Sequence, residues 1–97
     1  MRIGTDIVKI SRFEFLDEVS LKRIFHPSEM KDKRAEHLAG VFAVKECLKK
    51  IFECDWLDVE IKKRRNGRPY VVANFKFKGD VSISHDGEYA VGVVLSE

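Results

Sequence analysis

Residues 34–52 restrict the fold more than any other stretch, because their apolar side chains wrap almost the whole circumference of a helix. Leu38, Ala39, Val41, Phe42, Ala43, Val44, Cys47, Leu48 and Ile51 leave no broad polar face at about 100° per residue. A helix that is apolar all round has to be covered by several elements, so the rest of the chain must pack around it. Two acids interrupt hydrocarbon: Glu46 inside this helix and Asp6 inside the apolar run of residues 3–8. Carboxylates among apolar residues are costly unless paired or bound to a cation. Ala39, Ala43, Glu46 and Lys50 share an arc of about 60°. Small residues leading to an acid and a base on one stripe suggest that something polar approaches closely.

Strands are expected around this helix. Residues 2–8 read as one, with Ile3, Thr5 and Ile7 on one face and Gly4, Asp6 and Val8 on the other. Ser11 followed by Glu14 has the form of a capping box, which predicts a helix beginning there with Phe13, Leu16 and Ile24 on its apolar side. Pro27 and Ser28 restart the chain before a short turn carrying Glu29 and Met30. Leu57, Val59 and Ile61 alternate with Asp58, Glu60 and Lys62, and Asn66-Gly67 turns that strand back into residues 69–72. A second hairpin joins residues 81–85 to 89–94 through Asp86-Gly87. The expected fold class is α+β, one long buried helix packed on antiparallel strands.

The length of 97 residues suits a single domain, residues 1–97. A chain this small buries only about two-thirds of its unfolded surface, so association between copies would help it. With 44% hydrophobic and 35% charged residues the composition is globular and argues against disorder. The net charge of +2 implies no partner, but Lys62, Lys63, Arg64, Arg65 and Arg68 cluster around one turn. Cys47 and Cys54 lack metal spacing and read as a core residue and a free loop thiol, as a reducing compartment permits. No run is long enough to span a bilayer and no leader pattern appears, so the cytoplasm, away from any membrane, is expected.

Taken singly, each acid has a structural reading. Asp6 would be a strand-end carboxylate held by backbone amides, and Glu46 an i,i+4 partner of Lys50, worth about 0.2–0.5 kcal/mol. Taken together, two hard oxygen ligands suit Mg²⁺, which commonly uses one or two carboxylates plus waters and substrate phosphates. Lys50, one turn beyond Glu46, is spaced to hold the same phosphates. Ser84-His85-Asp86 cannot form a local nucleophilic triad, since adjacent strand residues point to opposite faces. His85 has a structural reading at a strand end and can also donate to a phosphate. His26 and His37 show no metal spacing and are assigned nothing. The basic hairpin reads as a solvated turn, as a ribbon for a nucleic-acid groove, or as a receiver of nucleotide phosphate. No Walker loop or dinucleotide fingerprint is present.

Four segments, in order, resemble one family. Residues 4–12 resemble the N-terminal motif of the holo-acyl-carrier-protein synthases, the short 4′-phosphopantetheinyl transferases. Residues 39–50 resemble their second motif, a Phe-Ala-small-Lys-Glu core with a lysine four residues on. Asn66-Gly67-Arg68-Pro69 resembles their Gly-Lys-Pro turn, and Ser82-Ile83-Ser84-His85 with Glu88-Tyr89-Ala90 resembles their closing segment.

The resemblance implies a 4′-phosphopantetheinyl transferase-like fold and transfer of the phosphopantetheine arm from coenzyme A to a serine of apo-acyl carrier protein. Adenosine 3′,5′-bisphosphate would be released. It implies Mg²⁺ held by Asp6 and Glu46, with Lys50 as the third catalytic residue, on the coenzyme A phosphates. Ser84 and His85 would line the nucleotide pocket, and Asn66, Gly67, Arg68 and Pro69 would lie along adenine and ribose. Arg12, Lys22 and Arg23 would receive the acidic carrier protein. A homotrimer with sites between subunits is also implied, with no nucleic acid as partner. Two departures stand out: Val41 replaces an arginine, and Glu53-Cys54-Asp55 replaces a glycine-rich segment. The other readings are a non-enzymatic nucleic-acid-binding module that uses the basic hairpin, and a degenerate relative that no longer binds coenzyme A.

Overall fold

The computed structural model describes residues Met1–Glu97 in the order β1 (Arg2–Lys9), α1 (Glu18–Ile24), α2 (Ala35–Ile51), β2 (Val59–Lys63), β3 (Pro69–Ala73), β4 (Gly79–Asp86) and β5 (Tyr89–Ser96). The apolar run produces α2 within one residue of its predicted ends. Extended backbone at Arg34 and Phe52 bounds it, and the Phe52 N–H closes the last turn on the Leu48 carbonyl. Ala39, Ala43, Val44, Cys47 and Leu48 have no exposed surface. No helix is long and apolar enough to cross a membrane.

Two antiparallel sheets cover the helix. The first has strand order β1-β5-β4 and the second is the β2-β3 hairpin. Asp6 pairs with Gly92 across β1 and β5, and Gly92 pairs with Ile83 across β5 and β4. Gly4, Val8, Val81, Ala90, Gly92 and Val94 bury one face of the first sheet against α2, whereas Ile3 and Ile7 on the other face remain exposed.

The small-residue stripe of α2 turns out to serve this contact. A Cβ on Gly92 would lie 2.7 Å from the Val44 nitrogen and 2.8 Å from the Ala43 carbonyl carbon. What approaches Ala43 closely is therefore the backbone of β5 and not a polar ligand, because small residues on both elements let their main chains meet. Gly92→Ala is expected to destabilise the protein by about 1–3 kcal/mol, since backbone atoms must move to admit the methyl group. Urea unfolding measures this, and a variant as stable as the parent would show that the helix can shift freely.

The opposite side of α2 carries aromatic packing and a buried ion pair. Phe42 lies 5.1 Å from Phe13 and stacks on Trp56 at 5.0 Å. Lys45 and Glu29 meet at 2.6 Å with no side-chain exposure. Lys45 Nζ also donates to the Ile24 and Trp56 carbonyls at 2.7 and 3.0 Å. Glu29 accepts from the His26 and Ile61 N–H groups, each at 2.7 Å. Burial pulls the Lys45 pKa down, and the Glu29 charge opposes that shift.

The helix predicted from Ser11 does not form. Ile10–Phe13 makes a single 3-10 turn without a side-chain cap, which drops Phe13 into the core between Phe42 and Phe25. Helix α1 starts later, where the Asp17 carboxylate accepts from the Ser20 N–H at 2.8 Å and supplies the cap that Ser11 does not. Leu21 is its buried residue, while Leu16 precedes the helix and stays exposed. The second hairpin turns one residue later than predicted, at Gly87-Glu88, with Asp86 paired to Tyr89. Gly87 takes the positive φ of 58° that this turn needs.

Candidate active site

The approach of α2 to β5 at Gly92 places the two acids. Asp6, opposite Gly92, points from the inner face of β1 toward α2, and Glu46 follows Ala43 on the helix stripe that packs there. Asp6 Oδ1 accepts from Lys50 Nζ at 3.2 Å, and the same ammonium donates to the Thr5 carbonyl at 3.0 Å. The Asp6 side chain is 18% exposed and that of Lys50 is 53% exposed, so the pair closes one edge of the site from solvent only in part.

The expected i,i+4 pair between Glu46 and Lys50 is not made. Lys50 turns instead to β1, where a carbonyl and a carboxylate offer two acceptors to one ammonium. Glu46 is half-buried and has no hydrogen-bond or ion-pair partner within the chain. Cys47 registers both acids. Its thiol donates to the Gly92 carbonyl at 3.3 Å and is pushed up to about 11, first by burial and then by Asp6, with Glu46 adding and Lys50 opposing. No group of three His, Cys, Asp or Glu side chains is placed to hold a metal. A cation here would take two carboxylates and complete its shell with water and phosphate oxygens.

A second cluster lies toward the start of α2. His85 Nε2 contacts the Glu36 carbonyl at 2.9 Å, and Gly40 makes room for the imidazole: a Cβ there would lie 3.0 Å from Nε2. His85, Gly67 and Pro69 border a cavity of about 170 Å³ between α2, the β2-β3 hairpin and β4. Ser84 faces the opposite way, pairs with Val91 and borders a hollow beside Ile7 and Tyr89. Asn66 accepts from the Arg68 N–H at 3.0 Å and shapes the turn. The Arg68 guanidinium is held by Asp80 at 2.9 Å, beyond the cavity rim.

Five further residues border the same cavity: Arg34, Glu36, His37, Lys63 and Ile83. His37 shows no metal spacing in the sequence, and the Lys63, Ile83 and His85 it meets here come from strands remote in the chain. Val41 itself is buried in the core and offers no charge at the position where an arginine was expected.

Arg12, Lys22 and Arg23 are all exposed on the segment leading into and along α1. The Arg12 guanidinium lies 5.1 Å from the Phe42 ring centroid. Phe15 and Val19, between these cations, are 89% and 62% exposed.

Comparison with known proteins gives consistent matches over the whole chain. The sequence model of the 4′-phosphopantetheinyl transferase superfamily matches residues 2–94. The holo-acyl-carrier-protein synthase of Nautilia profundicola is 38% identical, with 96% of each chain covered. That of Bacillus cytotoxicus is 35% identical, covering 98% of this chain and 93% of the relative. Among solved structures, the Helicobacter pylori holo-acyl-carrier-protein synthase in complex with coenzyme A superposes with a TM-score of 0.87 at 32% identity, covering 99% of this chain and 100% of the other. The Bacillus anthracis enzyme in complex with coenzyme A (3′,5′-ADP) gives a TM-score of 0.86 at 29% identity, with 97% and 93% covered.

Proposed function

Because this chain belongs to the 4′-phosphopantetheinyl transferase superfamily, as a holo-acyl-carrier-protein synthase, we propose that Asp6, Glu46 and Lys50 form its reaction centre. The enzyme transfers the 4′-phosphopantetheine arm of coenzyme A to acyl carrier protein. The observation that carries the site assignment is the half-buried Glu46 carboxylate without a partner, on the helix that packs over Asp6.

The donor set fits Mg²⁺: Glu46 is unpaired, and Asp6 gives Lys50 only Oδ1. When bound, Mg²⁺ would neutralise the coenzyme A diphosphate and stabilise charge on the leaving oxygen. Lys50, already held at the site by Asp6 and Thr5, donates to the same diphosphate. The carrier serine oxygen bonds to the β-phosphorus as the bond to adenosine 3′,5′-bisphosphate breaks; the leaving group carries away the electron pair, and the serine hydroxyl proton passes to water. Gly67, Pro69 and His85 receive the nucleotide around their cavity, with Asn66 and Arg68 shaping its edge. Ser84, on the other face of β4, reaches a nucleotide only across a subunit boundary.

The exposed outer face of the first sheet supports such a boundary. Ile3 and Ile7 are 72% and 63% exposed, and Tyr89 and Leu95 extend the patch. An apolar patch of this kind marks an association surface, and a homotrimer would cover it. Arg12, Lys22 and Arg23 offer charge to the acidic carrier protein, with Phe15 and Val19 as apolar contacts between them. The reading takes residues 1–97 as one transferase domain working in the cytoplasm, where both thiols stay reduced.

Incubating the protein with coenzyme A, Mg²⁺ and apo-acyl carrier protein is expected to add one phosphopantetheine arm to the carrier, read by intact-protein mass spectrometry. Chelating the Mg²⁺ should stop the reaction. A carrier mass that never changes, with several apo carriers tried, would mean that this chain keeps the fold without the activity.

A further inference from the structure

We propose that the buried Lys45 ammonium is a positioning residue for carrier modification. It fixes the cations Arg12, Lys22 and Arg23 in one placement relative to the reaction centre. This rests on the reading that those cations receive the acidic carrier protein. Lys45 immediately precedes Glu46 on α2, and its side chain is wholly enclosed. Three acceptors meet its ammonium: the Glu29 carboxylate at 2.6 Å, the Ile24 carbonyl at 2.7 Å and the Trp56 carbonyl at 3.0 Å. An ammonium has three hydrogens to give, so every donor is used and the group is held in one orientation.

The Ile24 carbonyl leads to two of the carrier cations. Ile24 is the last residue of α1 and directly follows Lys22 and Arg23, both exposed. A helix of 7 residues is too short to form on its own, so its place is set by what holds it. Leu21 and Phe25 are buried against the core. The Glu18–Lys33 pair near the start of the helix has side chains 61% and 67% exposed, where such a pair contributes little. At the other end Lys45 satisfies the final carbonyl with a charge that the helix dipole favours and that water does not screen.

The Trp56 carbonyl leads to the third. The Trp56 ring stacks on Phe42 at 5.0 Å, and the Arg12 guanidinium lies 5.1 Å from the centroid of that same Phe42 ring. One ammonium therefore holds both parts of the docking face, and it does so from the residue next to Glu46. Carrier docking and phosphoryl transfer are referred to one rigid helix. Transfer needs the carrier serine in line with the β-phosphorus, and a displacement of about 1 Å can cost about a hundredfold in rate.

Lys45→Met alone would mix a loss of rate with unfolding, so the test is made with Glu29→Gln present, where no buried charge is left. Lys45→Met with Glu29→Gln offers the Ile24 and Trp56 carbonyls no donor from residue 45. Lys45→Gln with Glu29→Gln returns a donor on a slightly shorter chain. Single-turnover rates with coenzyme A and Mg²⁺ are followed against apo-carrier concentration, and coenzyme A affinity is read by calorimetry. The Met pair should keep coenzyme A affinity and half-saturating carrier concentration near the parent values, while its maximal rate falls about tenfold or more. The Gln pair should recover most of that rate. A role confined to stability would leave both maximal rates at the parent value; that result, or an equal loss in the two pairs, would overturn the inference. Loss of coenzyme A affinity in step with the rate would also overturn it, because the reaction centre itself would have moved. Neutralising Arg12, Lys22 and Arg23 together to Gln tests the docking reading separately. It should raise the half-saturating carrier concentration, and no change there would overturn that reading and the inference with it.

Discussion

Asp6→Ala and Glu46→Ala should each slow carrier modification by roughly a thousandfold, about 4 kcal/mol of transition-state stabilisation, with the fold unchanged. Glu46 makes no internal hydrogen bond or ion pair, so its removal orphans nothing in the folded chain. Removing Asp6 takes one acceptor from Lys50, which keeps the Thr5 carbonyl at 3.0 Å. Asp6→Asn sharpens the test, because the amide oxygen can still accept from Lys50 while the charge is gone. It should be nearly as inactive as Asp6→Ala if the role of the group is to hold a cation. Single-turnover rates, with circular dichroism as the control for folding, measure these effects. Activity within tenfold of the parent for either alanine variant would remove the acids from the reaction centre.

Lys45→Met, one residue from Glu46, should do the reverse: it should cost about 3–5 kcal/mol of stability, because it leaves the Glu29 carboxylate buried without its counter-charge. Glu29 and Lys45 are wholly enclosed, and between them they tie α1, the turn at Pro27–Met30, the turn at Trp56 and β2 to the central helix. Glu29→Gln in the Lys45→Met background should restore much of the loss. The amide oxygen still accepts from one of the two backbone N–H groups that Glu29 serves, and no charge remains to be neutralised. Urea midpoints of the single and double variants measure both effects. A Lys45→Met protein within 1 kcal/mol of the parent would mean that water reaches Glu29 once the lysine is gone.

These two neighbours show where sequence reading works and where it stops. Glu46 was legible as an anomaly because an acid in an apolar stripe has few bland explanations. Lys45 sits in the same helix, and nothing local marks it as the partner of Glu29, which reads from sequence as part of a short turn. Their pairing requires the chain to fold back so that residues sixteen positions apart meet inside the core. The same limit appears at Lys50. Helical spacing pairs it with Glu46, but a strand at the other end of the chain presents the better acceptors.

Hydrophobic periodicity and turn chemistry act over a few residues, so the amino-acid order alone was enough for β1, α2, both hairpins and the α+β class. It was also enough to single out Asp6 and Glu46. Only the packed molecule decided that Ser11 yields to Asp17 as a helix start. Packing likewise turned His85 rather than Ser84 toward α2, and drew Arg34, His37 and Lys63 into one cavity with His85. Those outcomes depend on which distant backbone arrives beside each side chain. In this protein that arrival is governed by the contact of Ala43 with Gly92, where the absence of side-chain bulk lets helix and sheet meet.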